Sequence, residues 1–236
     1  MKTWQTSGGI KIYSILDSLT NIYLVKYGTN NFLVDTARKY RYKKAKERLK
    51  QILGEEQLHY LFLTHTHYDH TENAYRFKED FQAKIIADER EKDFLEKGIS
   101  PLPDGTNAAA KFVVFLGRNI TNIASYDPVN VDIPIDDIYE IKTSSDAVRI
   151  LRTPGHSIGS VSLILDNEIA IVGDTLFGIT KKSIFPPFVD DTSELFNSWE
   201  KLLKTECISF LPGHGGEISR EKLEREFEKR RYRDSQ

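Results

Sequence analysis

The sequence predicts an α/β fold. Short runs rich in β-branched and aromatic residues alternate with helical stretches that have one apolar face. The pattern occurs twice, in two halves on either side of an irregular central stretch. Turns rich in Gly, Asn and Asp separate the runs in both halves.

In the first half, residues 10–15, 21–26 and 32–34 read as a β-meander. Residues 39–53 read as a helix, with Ala45, Leu49, Ile52 and Leu53 on one face and Gly54 as its stop. An apolar run at 58–63 reads as a buried strand. A helix over 71–81 with Thr71 as N-cap, a strand at 83–87 and a charged helix at 88–97 follow. From 98 to 134 the pattern loosens around Pro101, Pro103 and the Asp104-Gly105 turn, with a helical stretch at 107–119. Residues 127–137, which carry Pro128 and Pro134, read as irregular. Residues 98–137 are too short to bury a core of their own, so they are expected as an insertion within a single domain spanning 1–236. Two roles stay open for the insertion: a lid over a site, or a surface piece serving packing or dimer contacts.

In the second half, strands are expected at 138–141, 147–151, 161–165 and 169–172, the last two joined by an Asp166-Asn167 hairpin turn. A helix over 193–203 capped by Thr192 or Ser193, a strand at 208–211 and a mixed-charge helix over 219–233 complete the chain.

Bulk properties narrow the function. The 236 residues carry 33 Lys plus Arg against 35 Asp plus Glu, a net charge of −2. That balance argues against nucleic acid or an anionic membrane as a partner. The single cysteine, Cys207, excludes an internal disulfide and a multi-cysteine zinc knuckle, and it fits a reducing compartment. The first nine residues are polar, and no run approaches the roughly 20 apolar residues of a spanning helix. A soluble cytoplasmic protein acting on a small molecule is expected, with a homo-oligomer left open.

The chemistry concentrates in Thr64-His65-Thr66-His67-Tyr68-Asp69-His70, which holds three of the six histidines. On an extended segment His65 and His67 point the same way, and a turn at Tyr68 can bring Asp69 and His70 round to a second point. One loop can thus offer a pair of ligands to each of two neighbouring divalent ions. His156, Asp174 and His214 each follow a predicted strand and a glycine, which lets the chain turn sharply toward a common point. Singly these are ordinary Gly-His and Gly-Asp turns; together they form a set. His59 lies within a strand and reads as a packing or surface histidine.

That set resembles the metallo-β-lactamase superfamily. The phrases Thr153-Pro154-Gly155-His156, Gly173-Asp174-Thr175-Leu176-Phe177 and Leu211-Pro212-Gly213-His214-Gly215 are most similar to its glyoxalase II-like hydrolase branch. The resemblance runs from about residue 21 to 216. It implies a four-layer αβ/βα sandwich, the metallo-β-lactamase fold, with a partly helical insertion over a two-metal cleft. It also implies that His65, His67 and His156 hold one ion, that Asp69, His70 and His214 hold the other, and that Asp174 bridges them. Zinc is the first expectation for both ions, and iron and manganese also suit the ligands.

A water shared by two such cations ionises near neutrality. The expected activity is therefore hydrolysis of a thioester, lactone or related ester by a bridging hydroxide. Asp69 would also move a proton, and Asp35 would support the histidine loop. A single-iron persulfide dioxygenase and a phosphodiesterase of the same superfamily are the alternatives. Three features bear on substrate. Thr71-Glu72-Asn73-Ala74 stands where a glycine pair is usual, and the chain closes on one helix without a glutathione-gripping domain. Asp174 stands where the common lactamases lack a bridging aspartate. Glutathione thioesters and β-lactams are accordingly not expected. Lys181 and Lys182 would either meet a substrate carboxylate or stay solvated.

Overall fold

The computed structural model describes residues 1–17, 19–100, 105–106, 125–136, 139–140 and 147–234. These form a four-layer αβ/βα sandwich, as expected. The first sheet runs in sequence order through β1 (Thr3–Gln5), β2 (Lys11–Asp17), β3 (Asn21–Tyr27), β4 (Asn30–Val34), β5 (Tyr60–Phe62), β6 (Lys84–Asp88) and β7 (Ile133–Ile135). Strands β1 to β4 pair antiparallel, and β4 to β7 pair parallel. The second sheet contains β8 (Tyr139–Glu140), β9 (Val148–Arg152), β10 (Val161–Leu165), β11 (Ile169–Gly173), β12 (Ser209–Pro212) and β13 (Ile218–Ser219). Only β11 and β12 pair parallel there.

Both faces of each sheet are covered, so the central strands read as near-continuous apolar runs. Alternate residues separate to opposite faces. Val25, Phe32, Val34 and Phe62 meet Ile150, Leu163, Leu165 and Ile171 between the sheets. Leu24, Leu33 and Leu61 face outward instead. They pack on α1 (Tyr42–Leu53), α3 (Ala74–Phe81) and α4 (Lys92–Lys97). On the far side, Ile164, Ala170 and Phe210 pack on Leu195, Trp199 and Leu202 of α5 (Thr192–Lys204) and Leu223 of α6 (Arg220–Asp234).

Several boundaries differ from expectation. Thr71 is not an N-cap: it closes the one-turn helix α2 (Tyr68–Thr71), and its hydroxyl donates back to the His67 carbonyl at 3.1 Å. The cap of α5 is Asp191 rather than Thr192 or Ser193, because its Oδ1 accepts from the Glu194 amide at 3.0 Å. The 127–137 stretch, expected to be irregular, contributes β7 as an edge strand, a position that tolerates Pro134. Proline is a poor strand signal, which is why β7 was missed. The 107–119 helix and most of the 98–137 insertion lie outside the described residues. The Asp166-Asn167 turn holds both residues in the left-handed region, with φ of 49° and 57°, as a tight hairpin between twisted strands requires. No helix among the described residues is long and apolar enough to cross a membrane.

Phe62 is fully buried between the sheets at the strand end that leads to the histidine segment. Replacement with alanine is expected to destabilise the chain by about 3–5 kcal/mol, read as a lower urea midpoint at unchanged slope.

Candidate metal centre

The loops that carry the candidate ligands leave one end of the paired sheets. After β5 the chain bends at Thr64, runs through His65 to an extended His67, then turns into α2. Asp69 and His70 thus lie on a helical turn, where a loop was expected. The Thr64 carbonyl accepts from Val161 N at 2.9 Å, and the Gly213 carbonyl accepts from Asn21 N at 2.7 Å, so both sheets close at this end. Two glycines earn their place sterically. A Cβ at Gly173, whose φ is +50°, would lie 2.6 Å from Thr64 Oγ1. One at Gly213 would lie 2.4 Å from Asp174 Oδ1 and 2.6 Å from the His70 ring.

All seven expected residues come together. Three groups of donor atoms, each within 4.8 Å of one another, are His65–His67–His156, His65–His70–Asp174 and Asp69–His70–His214. Within them His156 Nε2 lies 2.9 Å from His67 Nδ1, and His70 Nε2 lies 3.3 Å from His214 Nε2. Asp174 stands between the two sides. Its Oδ2 is 3.6 Å from His156 Nε2 and 3.2 Å from His214 Nε2, and its Oδ1 is 3.5 Å from His70 Nε2. Asp69 Oδ2 is 3.2 Å from His214 Nε2. His59 lies apart, its Nδ1 accepting from Asn31 N at 3.3 Å. Lys181 and Lys182 are exposed.

Four of the five rings have one nitrogen engaged, which aims the other inward; His67 turns Nδ1 to His156 and its Nε2 has no partner. His70 Nδ1 meets Asp35 Oδ2 at 2.8 Å, His156 Nδ1 donates to the Phe188 carbonyl at 2.8 Å, and His214 Nδ1 donates to the Leu19 carbonyl. His65 Nδ1 contacts Thr64 Oγ1 at 3.1 Å. Asp35 also accepts from Thr64 N at 2.9 Å, and these bonds hold it at a φ of 61°, unusual for a residue with a side chain. The Thr20 hydroxyl donates to Asp69 Oδ2 at 3.1 Å. Leu19, Thr20, Thr64 and Phe188 were invisible to sequence reasoning: three contribute through a backbone atom or a common hydroxyl far from the histidine motif, and Thr64 had only its adjacency.

The donor set fits cations. His65 Nε2 and Asp174 Oδ1 are buried without a hydrogen-bond partner, a cost that a bound ion would remove. The protonation pattern points the same way. Burial, together with His70 and His67, drives the His65 cation well below its ordinary range; burial and His156 lower His67 to about 3; burial also lowers His156. On the other side burial is outweighed. Asp174, Asp69 and Asp35 lift His70 to about 9, and Asp174 and Asp69 hold His214 well above the usual value. Against burial, His70 and His214 keep Asp69 well below the carboxylate range, and His214 and His70 hold Asp174 at about 2. Protons on His70 and His214 thus neutralise the carboxylates in the metal-free chain, and ions would displace them.

The stability of the metal-free protein is set by both groups of histidines. His70 and His214, raised on folding, contribute stability that is full below about 6.5 and is lost as pH rises toward about 9. His65, His67 and His156, lowered on folding, withdraw stability as pH falls below about 6.5 toward about 3. Chelator-treated protein is therefore expected to melt highest between about pH 6 and 7, with a flatter profile once metal is restored; differential scanning fluorimetry across pH 4–10 checks this.

Comparisons with known proteins agree with the fold. Residues 16–214 match the model of the metallo-β-lactamase superfamily. A protein described as a probable metallo-hydrolase, from Methanocaldococcus jannaschii, is 29% identical over 199 residues, covering 83% of this chain and 87% of that relative. An atrochrysone carboxyl ACP thioesterase of Aspergillus fumigatus is 25% identical over 227 residues; the match covers 92% of this chain but only 58% of the thioesterase. Among solved structures, a metallo-β-lactamase family protein of Thermus thermophilus superposes with a TM-score of 0.65 at 22% identity, covering 95% of this chain and 79% of that one. A match across most of the chain, joined to a site whose histidines and aspartates gather into groups able to hold a metal ion, leaves one conclusion: the chain belongs to the metallo-β-lactamase superfamily.

Proposed function

We propose that this chain is a dinuclear metal-dependent hydrolase that cleaves a thioester, lactone or related ester of a small metabolite. The observation that carries the reading is Asp174, whose two oxygens reach histidines of both donor groups. In this reading His65, His67 and His156 hold one ion, Asp69, His70 and His214 hold the other, and Asp174 is shared. Zinc is the first candidate, because mixed imidazole and carboxylate donors suit it. When bound, such a pair would lower the pKa of a water toward about 7 and polarise the carbonyl under attack.

The chain's own residues supply the rest. Thr20 fixes one oxygen of Asp69, so Asp69 is oriented to accept a proton from the attacking water and pass it to the leaving group. Asp35, Phe188 and Leu19 keep three imidazoles in one tautomer, with Nε2 facing the centre. The start of the 98–137 segment borders this centre. Ser100 Oγ accepts from Tyr68 N at 3.0 Å, and the Thr106 hydroxyl donates to Pro187 O at 2.8 Å, next to the Phe188 carbonyl that holds His156. These contacts support its reading as a lid.

Metal-replete protein is expected to carry about two ions per chain by mass spectrometry and to hydrolyse at least one member of a thioester, lactone and phosphodiester panel. Turnover of phosphodiesters alone would move the protein to that branch. Oxygen uptake with glutathione persulfide by protein holding a single iron would replace hydrolysis with oxidation. Asp69→Asn is expected to lower kcat by about 100- to 10,000-fold, with the metal content measured in parallel.

A further inference from the structure

Glu91 is a carboxylate that neither the ligand set nor the hydrolytic chemistry uses. It sits in the 3-10 turn after β6, 1% exposed, and it makes no ion pair among the described residues. Its two oxygens divide between two loops. Oε2 accepts from Thr66 N at 2.6 Å, between His65 and His67, and Oε1 accepts from Gly159 N at 3.0 Å, three residues beyond His156. Residue 159 has no room for a side chain, since a Cβ there would lie 2.5 Å from Glu91 Cγ. The loop is therefore packed directly on the carboxylate.

A buried carboxylate without a cation is expensive unless hydrogen bonds satisfy it. Here the bonds that satisfy it come from the two segments whose separation sets the distance between His67 and His156. By contrast, no hydrogen bond among the described residues joins Glu91 to Asp69, His70 or His214, which are held by Thr20, Asp35 and Leu19. We propose that Glu91 is the positioning residue of the His65–His67–His156 ion, a two-handed acceptor that sets the spacing of these ligands and leaves the Asp69–His70–His214 ion unaffected. This inference rests on the two-ion reading above.

Glu91→Gln is a sharp probe, because it keeps shape and volume but turns one acceptor into a donor that faces a backbone N–H. The experiment combines it with variants that isolate each ion, and zinc affinity is read by chelator competition. On a His214→Ala background, which leaves the three-histidine group, Glu91→Gln is expected to weaken zinc binding by about 10- to 100-fold. On a His156→Ala background, which leaves the other group, the change is expected to stay below about threefold. Asp88→Asn removes a neighbouring buried carboxylate, bonded to Arg152 and Arg90 and to neither ligand loop, and is expected to lower Tm without altering zinc affinity. Should Glu91→Gln not fold, Glu91→Asp keeps both acceptors on a shorter stem and is expected to show the same selectivity at smaller size.

Equal losses at both ions, or none at either, would overturn the positioning role. Failure of the unmodified protein to bind zinc at all would instead overturn the hydrolase reading on which it rests.

Discussion

Thr64 is the hinge point of the molecule. Its amide and hydroxyl donate to Asp35 at the end of β4, its carbonyl accepts from Val161 at the start of β10, and its side chain abuts Gly173 at the end of β11. Three strands from two sheets are thereby fixed against one residue that immediately precedes the histidine motif. Without that closure the sheets could splay at this end, and side chains more than a hundred positions apart could not meet. The large apolar layer between the sheets supplies the driving force for stacking, yet it does not define an edge. The directional bonds at Thr64 and between Asn21 and Gly213 do.

Electrostatics then divides the cluster. The five imidazoles are buried or nearly so, which alone would strip protons from all of them. The division follows the carboxylates: Asp35, Asp69 and Asp174 surround His70 and His214, whereas the foremost charged neighbours of His65 and His67 are other histidines, His70 and His156. In the two-ion reading proposed above, one side would meet its ion with neutral donors and the other with a carboxylate as well. Such asymmetry would give the two ions different Lewis acidity, which suits a reaction that needs one to activate water and another to receive developing charge.

Much of this was legible in the sequence because the relevant signals are local. The alternation of apolar runs located most strands, since a strand buried on both faces must be apolar throughout. The spacing of His65 and His67, and the glycines before His156, Asp174 and His214, marked the candidate ligands because sharp turns demand them. What stayed hidden depends on distant partners. Glu91 looked like one more charge on a short helix, and only the fold shows it between two loops. Thr71 had the composition of a cap, but His70 had already been drawn into a helical turn toward Asp35. β7 carries Pro134, and tertiary pairing with β6 overrode that local signal.

The two donor groups each draw on both halves of the chain: His67 and His156 are 89 residues apart, and His70 and His214 are 144 apart. An ion held by either group would close a loop of that length and remove much of the freedom of the unfolded chain, as a covalent cross-link does. With its single cysteine buried, the protein has no disulfide to do this. Its cations would act as rivets as well as reagents, so that starving the protein of metal would loosen the seam between its halves at the same moment that it silenced the chemistry.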